Sequence, residues 1–256
     1  MTSASTSEST SSSAPVTLSP RIVNGNAGTV TIVLGSSSKW RRQLISSLLP
    51  NSAPTDPAHA HIRLDFASPD IDEKSVALDA RNRNDAAAVT TIIAHAKADA
   101  LVPVLREKYA TELKAAAAGV AGATVLLITS DQVIVCNGEI REKPETPEMC
   151  KAYMKSYGHD GHPAECVNGI VVTNLATGAR TERVVIGKQY WNPVPEPILD
   201  KVIGKGDIMH CAGGFMIDEP LLHPFVGRRD ADEDVIMGMP LRALKDMIEE
   251  NVNCEL

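Results

Sequence analysis

The sequence contains no Cys-x-x-Cys pair and no Cys/His cluster; its five cysteines, Cys136, Cys150, Cys166, Cys211 and Cys254, are odd in number and far apart. That argues against a disulfide framework and a zinc site, and reduced thiols in a cytoplasmic protein are the expectation. No GxxxxGK[ST] run exists, so a P-loop kinase or ATPase reading fails. Positive charge is also short, with 25 Lys and Arg against 32 Asp and Glu, a net charge of -7 and a pI near 5.5. An acidic balance speaks against nucleic acid and anionic membranes as general partners, so local basic groups are read as site residues. Apolar runs are broken before they reach membrane-spanning length, as residues 120–135 are by Gly122, Ser130 and Asp131. Residues 1–20 lack the apolar segment of a signal peptide and the arginines of a mitochondrial presequence. Rich in Ser and Thr, they read as a disordered tail ahead of one domain over residues 21–256. With 43% apolar residues, 256 residues can bury a substantial core.

What is present is organised around residues 31–42. A β-branched apolar strand, residues 30–34, breaks at Gly35 into Ser36, Ser37 and Ser38, and Arg41-Arg42 opens a helix running to Leu49. Strand, small-residue loop and helix N-terminus favour a phosphate through free N–H groups and the helix dipole. The serine hydroxyls and guanidinium forks add donors of matching geometry. The alternative is that the serines only cap the helix while the arginines reach solvent.

Further along, residues 64–67 read as a strand and the polar stretch 79–85 as an exposed insertion. A long helical pattern begins near Asp85, with Pro103 as a kink or break and Ala115 to Ala118 at its close. Residues 124–131 form a second strong strand that ends on Asp131, and Asn137-Gly138 signals a hairpin turn. A helix follows Thr146-Pro147-Glu148, then a hairpin pair over residues 165–174 and 181–190, and a helix over 198–203. Residues 211–218 suggest a glycine-bearing turn feeding a short strand. The chain closes with an acidic loop at 230–234 and an amphipathic helix at 242–251 whose Leu244, Met247 and Ile248 face inward. The inventory is α/β, and no internal repeat is evident.

Taken together, these blocks resemble the Maf family of nucleoside triphosphate pyrophosphatases. The family's Leu-Ala-Ser-x-Ser-Pro-x-Arg-Arg stands here as Leu34-Gly35-Ser36-Ser37-Ser38-Lys39-Trp40-Arg41-Arg42. Its Asp-Glu pair is Asp72-Glu73, its Lys-Ala helix carries Lys97-Ala98, and its central acid is Asp131, followed by Gly138-Glu139-Ile140 and Lys143-Pro144. Its Ala-Gly-Gly-Phe turn and late Gly-Leu-Pro-Leu match residues 212–215 and 238–241. The blocks keep family order over residues 30–250. Lys39 stands where the family has proline, which loosens the loop or adds a phosphate contact, and Gly35 replaces alanine, a mild change. Stretches near 74–92 and 106–123 are longer than the family minimum.

The resemblance implies a central mixed sheet flanked by helices, with two lobes and the site in the cleft between them. It implies hydrolysis of a nucleotide to monophosphate and pyrophosphate with Mg²⁺ or Mn²⁺, and it admits a homodimer. Ser36, Arg41 and Arg42 are assigned to phosphate binding, and Lys97 and Lys143 as cationic clamps. Asp131 is the candidate general base or water-orienting group, and Glu73, with Asp131, the candidate metal ligand. Without the family, Lys97 and Lys143 read as solvated lysines and Glu73 as a loop acid, whereas a charge ending an apolar strand needs a partner or a role. One branch of the family, acting on 7-methyl-GTP, has tryptophan before the arginine pair, glutamine after the acid and a later glutamate. Here those positions hold Trp40, Gln132 and Asp218, with Glu219 beside it. An indole can stack on a cationic methylated purine and a carboxylate can neutralise it; Trp40 can equally pack on the core. The rivals are a dTTP/UTP pyrophosphatase of the same family and a nucleotide-binding regulator of cell division with little catalysis.

Overall fold

The computed structural model describes residues 16, 18, 29–49, 62–118, 124–159 and 161–253. The apolar run after residue 29 forms β1 (Val30–Gly35), buried throughout because Ile32 and Leu34 meet one apolar cluster and Val33 another on the opposite face. α1 (Lys39–Ser46) follows at once, capped by Ser38, whose side chain accepts from the Arg41 N–H at 3.4 Å. β2 (Ile62–Ala67), α2 (Leu78–Asn82), α3 (Ala86–Lys108), α4 (Ala110–Ala117) and β3 (Thr124–Cys136) come next. β4 (Glu139–Arg141), α5 (Pro147–His159), β5 (Ala164–Asn174), β6 (Arg180–Trp191) and α6 (Glu196–Lys205) follow. β7 (Val226–Arg229), α7 (Glu233–Ile236) and α8 (Leu241–Asn253) complete the described elements.

The strands form one seven-stranded sheet in the order β2-β1-β3-β5-β6-β7, with β4 paired to the far end of β3. β1 runs parallel to β2 and β3, and every other pairing is antiparallel, which makes the sheet mixed as expected. β3 is the axis. Its first half puts Leu126 and Ile128 into a core with β1 and α8, and its last residues put Ile134 and Cys136 into a second core with α5, α6, Trp191 and Phe215. Thr129, Ser130, Asp131 and Gln132 lie between those two cores, so the polar middle of one strand falls where apolar packing stops on either side.

α3 lies across β3 and β5. It is long and apolar enough, by composition, to cross a membrane, which corrects the expectation that no segment reaches that length. Here Val89, Ile93, Ala94, Leu101 and Leu105 are buried in the protein. Its approach to the sheet depends on Gly169: a Cβ there would lie 2.6 Å from the Thr90 carbonyl carbon, a backbone atom that cannot rotate away. Gly169 pairs with Asp131 across the β3–β5 ladder, so this contact sets the height of the helix directly over the acid. α3 runs through Pro103 and stops only at Tyr109, because the missing N–H falls on the exposed face.

Other expectations give way. The stretch 79–85 is mostly exposed, as expected, but it is not a featureless insertion: α2 forms there and buries Ala80, which packs with Ala86, Val89, Val133 and Val167. No strand forms at 215–217; Phe215, Met216 and Ile217 instead follow two short 3₁₀ turns and fill the second core. Leu18, within the stretch read as tail, is buried and donates its N–H to the Leu48 carbonyl at 3.1 Å. Residues 1–15 lie outside the described residues. At Gly35 an added Cβ would lie 2.6 Å from Leu101 Cδ1, a side-chain end that has to shift to admit the family's alanine.

Gly169→Ala should lower stability by about 1–3 kcal/mol through overpacking against α3. Gly204→Ala, on α6 with no atom within 4 Å of the new methyl, should raise it by about 0.5–1 kcal/mol. Urea denaturation of both variants checks the pair of signs.

Candidate active site

Lys97 projects from α3 into the sheet and is buried. Its ammonium has three donors, and three oxygens meet it: Asp131 Oδ1 at 2.8 Å, Glu73 Oε1 at 2.9 Å and the Ser130 carbonyl at 3.2 Å. The two acids come from distant segments, Asp131 from the polar middle of β3 and Glu73 from the turn that precedes α2. Arg41, half-buried on α1, closes the group by donating to the Ser130 carbonyl at 3.2 Å and the Gly238 carbonyl at 2.9 Å. Burial pushes the Arg41 guanidinium down from its usual range while Asp131 and Glu73 pull it back up; it stays charged.

The two carboxylates share one ammonium but differ in depth, and their acidities part accordingly. Burial pushes Asp131 above the ordinary aspartate range, against the opposing pull of Lys97 and Arg41. Burial acts upward on the half-exposed Glu73 too, but there Lys97, Lys143 and Arg41 outweigh it and hold the acid below its usual value. An acid that holds its proton less tightly than usual, beside one that takes a proton more readily, is an arrangement suited to general base chemistry. Asp131 Oδ2 has no protein donor among the described residues, so it is the oxygen able to accept that proton.

The remaining phosphate candidates divide. Ser36 is buried just after β1, and its hydroxyl accepts from the Ser38 N–H at 3.2 Å, which braces the loop from within. Arg42 stands apart from the cluster. Its Nε and Nη2 both donate to the Ser36 carbonyl, at 3.1 and 3.0 Å, and its guanidinium lies 5.1 Å over Phe66. Helix geometry turns adjacent arginines in different directions, one toward the cluster and one against the loop's outer side. Lys143 is exposed just after β4, near enough to Glu73 to bear on its charge.

Trp40, Gln132 and Asp218 line one pocket, open to solvent, together with Phe215, Met216 and Ile236. Glu219 is committed elsewhere, paired with Lys205 at 2.6 Å and accepting from the Leu221 N–H. Gln132 holds the Ile236 carbonyl at 3.1 Å, which ties the pocket floor to α7. Lys39 pairs with Asp207 at 3.2 Å and lies 4.7 Å over the Trp40 ring. Asp131 and Gln132 are consecutive on β3 and so turn to opposite faces of the strand; Arg41 joins the two sides, since its Nε donates to the Gly238 carbonyl beside the Gln132 amide while its Nη1 holds the Ser130 carbonyl of the cluster.

Among the described residues no group of three His, Cys, Asp or Glu side chains could hold a metal by itself. The cluster's own charges balance, two cations against two carboxylates, so an entering polyphosphate brings negative charge that it does not neutralise. A hard divalent ion bound by one or two carboxylates plus substrate phosphates fits such a donor set. Sequence reasoning missed Arg81, whose donors grip the turn carrying Glu73, and Gly169, which lets Lys97 reach Asp131; an unexplained glycine in an otherwise apolar strand was the available signal for the second.

A family model described as Maf-like protein matches residues 31–251. The chain is 35% identical to the 7-methyl-GTP pyrophosphatase of Dictyostelium discoideum, over 86% of this chain and 96% of that one. It is 26% identical to the 7-methyl-GTP pyrophosphatase of Idiomarina loihiensis, over 86% and 94% of the two chains. A nucleoside triphosphate pyrophosphatase of Nocardia farcinica is 30% identical, over 86% and 92%.

Lys97→Met should cost about 3–5 kcal/mol, the penalty for leaving buried carboxylates without their cation. Adding Asp131→Asn to that variant should restore part of the loss. Additive losses in denaturant melts would contradict the shared-ammonium description.

Proposed function

The chain is a member of the Maf family, and from that premise we propose that it hydrolyses a nucleoside triphosphate to the monophosphate and pyrophosphate, with 7-methyl-GTP as the preferred substrate. The observation that carries this reading is that α1 joins two features: a Lys97–Asp131–Glu73–Arg41 cluster, into which Arg41 reaches through the Ser130 carbonyl, and a pocket walled by Asp218 and by Trp40, the residue before Arg41. The names of the Dictyostelium and Idiomarina relatives support the same substrate. One sheet containing β1 to β7 supports reading residues 21–256 as a single domain. The acidic charge and the thiols of Cys150, Cys166 and Cys211, none of them in a disulfide, support a cytoplasmic location.

In this reading the triphosphate lies over the N-terminus of α1, where the Ser36 loop and the uncommitted donors of Arg41 meet its oxygens, and Lys97 and Lys143 add charge. Arg42 acts one step back by fixing the Ser36 backbone. Asp131 Oδ2 takes a proton from the attacking water as the bond between the α and β phosphates breaks, and Glu73 holds the Lys97 ammonium in place. Glu73 and Asp131 would also hold Mg²⁺ or Mn²⁺ with the phosphates. Such an ion supplies charge neutralisation and polarises a phosphoryl oxygen. At the other end, the indole of Trp40 stacks on the methylated guanine, which carries a positive charge, and the Asp218 carboxylate offsets that charge.

Pyrophosphate release from 7-methyl-GTP, GTP, UTP and dTTP tests the proposal. Turnover should favour 7-methyl-GTP and fall roughly 100- to 10,000-fold in Asp131→Asn. Preference for UTP or dTTP would overturn the substrate assignment, and binding without turnover would point to a regulator. The acid limb of kcat/KM should lie above the value of about 3.9 for a free aspartate, because Asp131 works only when deprotonated and its pKa is raised. Removing the Glu73 charge, which raises that pKa, should move the limb to lower pH in the residual activity of Glu73→Gln.

A further inference from the structure

Arg81 ties together three segments that border the cluster and the pocket. Its mostly buried guanidinium sits on α2, where Nη2 donates to the Glu73 carbonyl at 3.0 Å, Nη1 to the Val76 carbonyl and Nε to Glu142 Oε1 at 2.5 Å. The turn it grips does not form by its own preference: Ala77 is left-handed at φ 62°, a conformation that L residues avoid. The Arg81 N–H also donates to the Ala77 carbonyl at 3.0 Å, so side chain and backbone hold the turn from within. The Glu73 carboxylate is itself half-exposed, and Lys97 is its ion-pair partner among the described residues. Where Glu73 stands is therefore decided by its backbone, and its backbone is fixed by Arg81.

The same guanidinium reaches the pocket through Glu142. While the Glu142 side chain takes Arg81, its backbone carbonyl accepts the Gly213 N–H at 3.0 Å, and Tyr157 Oη donates to the Gly213 carbonyl at 3.0 Å. Gly213 lies between the pocket-lining residues Ala212 and Phe215. Lys143 follows Glu142 directly. We propose that Arg81 is a positioning residue for the proposed reaction, holding Glu73 at Lys97 and, through Glu142, registering the pocket turn against the same strut. An ammonium does not replace it, because the planar guanidinium spreads its donors over three nitrogens that reach two carbonyls and a carboxylate set apart, whereas the three donors of a lysine all leave one atom.

The catalytic arm of the test rests on the pyrophosphatase reading; the exchange arm does not. In Arg81→Gln and Arg81→Lys, kcat should fall about tenfold to a hundredfold while KM changes less than threefold, a split that general loosening would not produce. Hydrogen exchange in the resting protein should quicken at residues 72–77 and at 211–214, with β3 and β5 protected as in wild type. Glu142→Gln should quicken 211–214 more than 72–77, and it carries the test if the Arg81 variants do not fold. Unchanged exchange at 72–77 overturns the inference, as does an unchanged kcat in variants of an active enzyme. A wild type with no turnover overturns the pyrophosphatase reading alone, and the exchange pattern still decides the strut.

Discussion

A buried ammonium must be met on every side. Taking a lysine charge out of water costs several kcal/mol or more unless oxygen acceptors replace its hydration, and Lys97 finds them in Asp131, Glu73 and the Ser130 carbonyl. Much of the surrounding architecture follows from that requirement. α3 must lie close enough to the sheet for the side chain to reach, which Gly169 permits. β3 must be polar in its middle, and the cores that its ends build stop short of that point. The turn before α2 must deliver a second carboxylate from outside the sheet.

The same constraint shapes the chemistry. One cation between two acids of unequal depth separates their proton affinities, leaving the deeper acid basic and the outer one charged. Because the cluster is neutral as a whole, a polyanionic substrate and a divalent ion are the kind of visitors it suits, entering together. The pocket one residue along β3 then needs no separate scaffold: a single strand positions both the acid and the amide of Gln132.

How much of this was legible depends on whether a residue's sequence neighbourhood resembles its spatial one. Asp131 was legible because a charge in an apolar strand is out of place in any environment, although the strand read as ending on it runs on to Cys136. Lys97 was not legible without the family, since a lysine on a helix looks the same whether it points at water or into a sheet. Arg41 and Arg42 could not be told apart as neighbours in sequence; only the turn of α1 sends one to the Ser130 and Gly238 carbonyls and the other to the Ser36 carbonyl. Asp218 and Glu219 were likewise separated only by Lys205, which comes from α6 and claims the second. For the fold, long β-branched runs announced β1, β3 and β5. β7 carries two arginines in four residues and was missed, and the apolar 215–217 passed for a strand because core packing and strand formation select the same side chains. Arg81 lay hidden in a polar stretch whose contacts are all to backbone carbonyls and one distant glutamate.

The most direct measurement is a crystal structure with an α,β-imido analogue of 7-methyl-GTP and Mg²⁺. The account predicts phosphates at Arg41 and Lys97, with the α phosphate nearest Asp131 Oδ2 and the base between Trp40 and Asp218. A nucleotide seated elsewhere, such as the groove between α5 and α6, with the Lys97 cluster unchanged, would contradict it.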